Sequence, residues 1–270
     1  MNFWKLLSPP SIALSAVLGV CLASTGPALA ADEPATSGKI EPYDYQKNPI
    51  FLDEPDAPPP ASRVEKRVDS AKYDDGKVRY EREIVRYSDN HFVADGYYRE
   101  FYPNGQKFAE GQYKDGRQDG AWTYWYDDGK VNRKANYKDG QPDGSWEVYN
   151  AEGAIVAKRG FKNGKRDGTW VVYDAAGKQK LREEPYADGK ADGTWKVWDD
   201  SGKQRTQMTF KLGTRDGPAA EWDDKGNPRA EVNYKDGKLD GTATLYGPDG
   251  EKVIQHYTDG KLEPESKSQK

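Results

Sequence analysis

Seven Asp-Gly steps, at Asp95, Asp119, Asp143, Asp167, Asp192, Asp216 and Asp240, divide residues 95–262 into units of 24 residues. The fourth unit is one residue longer and the last one shorter. A fixed period of this size means one small supersecondary element repeated, each copy burying its apolar side against the next. Such a chain is expected to present an extended surface and not a deep reaction chamber.

The third unit, DGSWEVYNAEGAIVAKRGFKNGKR, shows the wording of one copy. Trp146, Val148 and Tyr149 form a short run, Asn150–Gly153 a turn, Ile155–Phe161 a second run, and Asn163-Gly164 another turn. Asp-Gly and Asn-Gly between short apolar or aromatic runs predict hairpins, because these residues accept the positive φ of tight turns. Runs of about five to eight residues are too short for helices. Glycine recurs at three places in every unit, for example at Gly144, Gly153 and Gly164, which implies a backbone demand for left-handed turns or close strand approach. The predicted fold is therefore all-β, built of tandem antiparallel β-hairpins.

Three aromatic columns run through the units. The first is Tyr98, Trp122, Trp146, Trp170 and Trp195, continued by Ala219 and Ala243. The second is Phe101, Trp125, Tyr149, Tyr173, Trp198, Trp222 and Tyr246, and the third is Tyr113, Tyr137, Phe161, Tyr186, Phe210, Tyr234 and Tyr257. Aliphatic residues are scarce, so burial must rely on rings, each covering roughly 150–250 Å². Residues three apart in a strand point to opposite faces. Either both faces carry rings, or a bulge brings the first two columns together. Equivalent rings lie roughly 10 Å apart, two strands per unit, so a continuous layer needs side chains from the intervening strand. We take the first column as structural and the second as the candidate partner-binding column.

The flanks read differently. Lys5, the apolar run Ile12–Ala23 and the small-residue step Ala28-Leu29-Ala30 predict a signal peptide over residues 1–30, cleaved near Ala30-Ala31; an uncleaved anchor is the alternative. Cys21 fits a lipid-modification site poorly because Val20 precedes it. Cleavage removes the single cysteine, so neither a disulfide framework nor thiol chemistry remains. It also removes Lys5, which takes the formal net charge from −4 to −5. Residues 31–62 hold seven prolines among acidic and small polar residues and read as a disordered spacer. Residues 63–94 read as a divergent N-terminal capping repeat with an insertion around Ser88–His91, and residues 263–270 as a flexible tail. The chain is expected to be exported, periplasmic or secreted.

The pattern D-G-x-W-x-x-[YFW]-x-x-x-G, followed about eight residues on by Y-x-x-G-K, resembles the MORN repeat variant family over residues 95–262. Many bacterial chains of this type are described as YwqK-type antitoxins of toxin–antitoxin systems. The resemblance implies hairpins stacked into an elongated twisted sheet that serves as a scaffold or partner surface. The chain departs from the common MORN wording: a glycine two before the late ring occurs at Gly111, before Tyr113, but other units carry mostly polar or charged residues there. That departure makes lipid contact doubtful, and an export signal fits poorly with a toxin neutralised inside the cell.

No catalytic constellation is legible. His91 and His256 are the two histidines, far apart and outside any metal-binding motif. No G-x-S-x-G elbow occurs. Asp127-Asp128-Gly129, Asp199-Asp200-Ser201-Gly202 and Asp223-Asp224-Lys225-Gly226 offer oxygens, yet calcium needs six to eight from a longer loop, and plain turn formation is the simpler reading. No cofactor is expected. Interspersed charges argue against a nucleic-acid partner. The expected function is a non-enzymatic exported scaffold for protein–protein or envelope contacts. The alternatives are an antitoxin or immunity protein, and a polysaccharide binder that uses an aromatic ladder.

Overall fold

The computed structural model describes residues 62–264, and the signal-peptide and spacer expectations fall outside them. Within this range the chain forms strands and turns and no helix, with twenty-one antiparallel strands in one open sheet. Sixteen strands have six to ten residues and five have two. Each long strand pairs with the next, from Arg63–Lys72 through Val78–Tyr87 and Phe92–Phe101 to Gly241–Tyr246 and Lys252–Thr258. The result is a meander that does not close. Fifteen inter-strand steps of ~4.8 Å make a stack about 70 Å long.

The glycine columns have three different jobs. The third marks two-residue turns of type I′, which need positive φ at both central residues. Asn163 and Gly164 have φ of 48° and 77°, and the pattern recurs from Asp115-Gly116 to Asp259-Gly260. The second ends a wider loop: Gly153 N donates to Asn150 O and Asn150 N to Ala154 O, both at 3.0 Å. The first column does not reverse the chain. The Asp-Gly that opens each unit lies inside a pairing and bulges it by two residues. Arg166 faces Phe161, yet beyond Asp167-Gly168 it is Val171 that faces Lys158. The same offset occurs at all seven Asp-Gly steps.

The bulge stitches one unit to the next. The carbonyl just before each Asp-Gly, the last of the preceding unit, accepts the N–H of the turn glycine in the unit that the Asp-Gly opens, at 2.7–2.9 Å in all seven cases, from Gly116 N to Ala94 O through Gly260 N to Leu239 O. The aspartate adds a second bond. Asp143 Oδ2 accepts Asn163 N at 3.0 Å and Asp192 Oδ1 accepts Leu212 N at 3.2 Å. Asp216 and Asp240 reach Asp236 N and Asp259 N at 3.4 and 3.3 Å.

Both length anomalies are absorbed locally. In the fourth unit the wide loop is one residue longer, closed by Asp174 N donating to Gln179 O at 2.8 Å. The last unit lacks the register shift that its six predecessors show at Phe101, Trp125, Tyr149, Tyr173, Trp198 and Trp222.

One turn breaks the rule of Asp or Asn before glycine. Leu212 holds φ of 50° and is exposed. A left-handed conformation costs a residue with a Cβ roughly 1–2 kcal/mol, and Asn tolerates it. Leu212→Asn is expected to stabilise the protein by about 1 kcal/mol, read as a raised urea midpoint at unchanged slope. Asp143→Ala, which leaves the Asn163 N–H without its acceptor, is expected to cost about 1 kcal/mol in the same assay.

Candidate functional site

The sheet is a single layer, so its two faces are two candidate sites. Rings occupy both. The first and third columns alternate on one face, here the spine face. From Tyr98 to Phe210 each ring touches the next, with centroids 4.8–6.3 Å apart through Tyr113, Trp122, Tyr137, Trp146, Phe161, Trp170, Tyr186 and Trp195. The third-column rings are thus the intervening side chains that a continuous layer requires. Each indole also serves the bulge. Nε1 of Trp122, Trp146, Trp170 and Trp195 donates to the carbonyls of Gln112, Asn136, Gly160 and Pro185 at 2.9–3.3 Å. The last three carbonyls also accept the N–H of Asp143, Asp167 and Asp192.

Burial along the first column is uneven. Trp122 is 1 % exposed, whereas Tyr98, Trp146, Trp170 and Trp195 are half-buried. Gly111 is the reason at Trp122, because a Cβ there would lie 2.2 Å from the indole. Two closed clusters result. One packs Ala94, Ala109, Tyr113, Trp122, Tyr124 and Ala135. The other packs Met208, Ala219, Val232, Tyr234 and Ala243, where alanine replaces tryptophan. Between them the spine stays partly open.

The second column lies on the opposite face. Tyr149 Oη donates to Glu147 Oε2 at 2.8 Å, and Lys134 Nζ sits 5.7 Å from its ring centre. Tyr246 Oη likewise donates to Glu231 Oε2 at 3.0 Å, with Lys252 over its ring. Lys107 covers Trp125. Desolvation and the Glu147 carboxylate push the Tyr149 phenol up to about 12, so it stays protonated at physiological pH. All seven rings, Phe101, Trp125, Tyr149, Tyr173, Trp198, Trp222 and Tyr246, are half-buried.

Arginines on the spine face escaped the sequence reading. Arg133 lies 4.3 Å from the Tyr124 ring centre and 5.2 Å from that of Trp146. Arg159 and Arg166 lie over Trp170 at 5.2 and 4.5 Å, and Arg215 over Tyr234 at 5.5 Å. Strand alternation was the available signal: these arginines occupy the register of the spine rings, whereas Lys134, Lys158 and Lys196 occupy the other, together with Arg99 and Arg117.

Titratable groups are spread along the sheet. Among the described residues no group of three or more His, Cys, Asp or Glu is placed to hold a metal ion. His91 stacks on Tyr87 at 4.4 Å, and His256 Nδ1 lies 3.3 Å from Thr242 Oγ1. The adjacent aspartates are turn formers: Asp199 Oδ1 accepts Ser201 N and Lys203 N, and Asp223 Oδ1 accepts Lys225 N and Asn227 N. Two carboxyls stand apart, Glu221 and, at the equivalent place in the first unit, Glu100; the other units have valine, tyrosine or leucine there, and burial raises the pKa of both carboxyls. At Glu221, Arg229 stands 3.6 Å from Oε1, and Oε2 has no hydrogen-bond partner. Burial there acts against the pull of Arg229 and Arg205.

Two outcomes are expected. Gly111→Ala, which drives a methyl into the Trp122 ring, should cost about 1–3 kcal/mol in a denaturant titration. A Glu221 pKa raised on folding means that the native state holds this proton more tightly. Its contribution is complete below the ordinary value of 4.5 and is lost as pH rises through the folded value. Glu221→Gln should therefore raise the melting temperature at pH 7, and the gain should vanish below pH ~4.

Three segments, residues 94–115, 118–139 and 215–236, match the family model described as MORN repeat variant. A comparison with the curated proteins finds no match. Each matched segment runs from the stitching carbonyl, through one bulge and one wide loop, to the next type I′ turn. The first, second and sixth units are thus similar to MORN repeat variants in sequence, and the remaining four share their structural frame.

Proposed function

We propose that this chain is an exported, non-enzymatic repeat scaffold that holds a protein partner, or a polymer of the cell envelope, along its sheet. One observation carries the reading. A single-layer sheet with the spine on one face bears, on the other, a row of seven half-buried rings, with lysine or glutamate against Trp125, Tyr149 and Tyr246. Proteins built of MORN repeats in general mediate protein or membrane contacts. Lys5, the apolar run Ile12–Ala23 and Ala28–Ala30 support export. The ring row Phe101–Tyr246 is the proposed contact. Aromatic rings of this kind are enriched at binding hot spots.

Capture from the native host tests this. Wild-type protein should co-purify with a partner, and Trp198→Ala/Trp222→Ala should lose it while keeping its far-ultraviolet spectrum. Capture unaffected by the double variant would remove the ring row from the function. The antitoxin alternative requires that the captured protein be a single stoichiometric toxin encoded nearby. The polysaccharide alternative requires co-sedimentation with peptidoglycan.

A further inference from the structure

A recess opens on the spine face where the ladder of rings stops. Thr206, Met208, Ala219, Glu221, Ala230 and Val232 line it, and it has room for about one water molecule. Two departures from the repeat meet there. Ala219 stands where the second to fifth units place Trp122, Trp146, Trp170 and Trp195. Glu221 stands where the units on either side place Val197 and Leu245. Met208 and Val232 face Ala219 across the sheet, and Thr206 and Ala230 face Glu221.

The carboxyl in this recess lacks a donor. Glu221 is 8 % exposed, and its Oε2 is buried with no hydrogen-bond partner, so it carries the full cost of its desolvation. The neighbouring cations do not answer it. Arg229 lies 3.6 Å from Oε1 with its own side chain 47 % exposed, and Arg205 lies 3.7 Å from Asp199. The first unit shows what is missing. Its equivalent carboxyl, Glu100, accepts the Tyr98 hydroxyl at 2.9 Å. Tyr98 belongs to the first column, where the sixth unit has Ala219, so Glu221 has no such donor beside it.

The recess itself selects among donors. A buried water is held by about two to four polar partners, whereas apolar side chains make up most of this wall. A calcium ion takes about six or more oxygens, and a single carboxylate oxygen is on offer. A guanidinium or a quaternary ammonium is larger than the space. A primary ammonium is about the size of a water, opposite in charge to the carboxylate, and makes the stronger, charge-assisted kind of hydrogen bond.

We infer that the Glu221 recess is a binding site for a primary ammonium group on an unbranched alkyl stem, carried by a small aliphatic amine or by a lysine side chain. The ammonium meets Oε2, its remaining N–H groups are left to solvent, and the stem lies against the apolar wall of Met208, Ala219, Ala230 and Val232. The site is on the face opposite the ring row Phe101–Tyr246. A failed capture from the host would leave it standing, and a failed amine titration would leave the ring row untouched.

The experiment is an amide chemical-shift titration of the purified protein with n-butylammonium and with Nα-acetyl-lysine methylamide. Butanol and tetramethylammonium, at matched ionic strength, are the controls. Saturable shifts are expected at Thr206, Ala219, Glu221 and Ala230 with a primary ammonium, and none with either control. Shifts with both ligands assign the site to lysine side chains as well as free amines; shifts with butylammonium alone assign it to free amines. Glu221→Gln should weaken binding at least ~10-fold, the difference between a charged and a neutral acceptor. Glu221→Val installs the residue of the third to fifth units, so it should keep the sheet folded and abolish binding. Glu100→Gln, at the carboxyl that Tyr98 already serves, should leave binding unchanged. No saturable shift at these amides, equal binding of butanol, or undiminished binding by Glu221→Val would overturn the proposal.

Discussion

Everything in this sheet depends on one hydrogen bond, repeated. The turn glycine of each unit donates its N–H to the last carbonyl of the unit before, the one that precedes its own Asp-Gly bulge. That bond is available only because the bulge offsets the strand by two residues and leaves the carbonyl without a partner in the ladder. Positive φ at the bulge glycine makes the offset possible, and the aspartate beside it takes the neighbouring turn N–H. Unit-to-unit adhesion is therefore a property of the backbone, and it tolerates wide variation at the ring positions. Replacement of tryptophan by Ala219 and Ala243 leaves the stitching at Gly237 and Gly260 at the same 2.8 Å.

The rings answer a different need. A single-layer sheet has no second layer against which to hide apolar surface. Here the first and third columns hide it against each other, at centroid distances where edge and offset contacts are favourable. Indole suits the first column because its N–H reaches the carbonyl that the bulge exposes, a bond that phenylalanine cannot make. The end clusters close more tightly by two routes: a missing Cβ at Gly111 under Trp122, and small side chains at Ala219 and Ala243 around Tyr234. The middle units use neither device, which leaves their indoles half-buried and roofed by guanidinium groups.

Much of the architecture was legible in the residues. The 24-residue period and the Asn-Gly and Asp-Gly turns identify antiparallel hairpins, and the three-residue step from Trp146 to Tyr149 allows rings on both faces. The Asp-Gly of the first column carries the local signal of a hairpin turn and yet does not reverse the chain. Its dipeptide is the same as at Asp139-Gly140, a true turn, and the difference lies in long-range pairing that a local signal does not contain. The placement of Arg133 and Arg159 on one face and of Lys134 and Lys158 on the other is written in the strand alternation. It becomes visible only once the two bulges per unit are placed, because each bulge resets which residues share a face. For the same reason Glu221 reads as one more surface acid, although its register puts it where Val148, Val172 and Leu245 are packed.

The single layer also constrains what kind of chemistry the molecule can support. Raising or lowering a pKa enough for acid–base work requires enclosure on several sides. A sheet without a second layer supplies that only where neighbouring side chains crowd over a carboxyl, as at Glu221. Regular spacing is what such a sheet provides instead. Rings recur once per unit in the second and third columns along the stack, so a ligand of matching period would meet one such ring per unit. A ligand of the wrong period gains one contact and loses the next, and selectivity of this kind resides in the repeat itself.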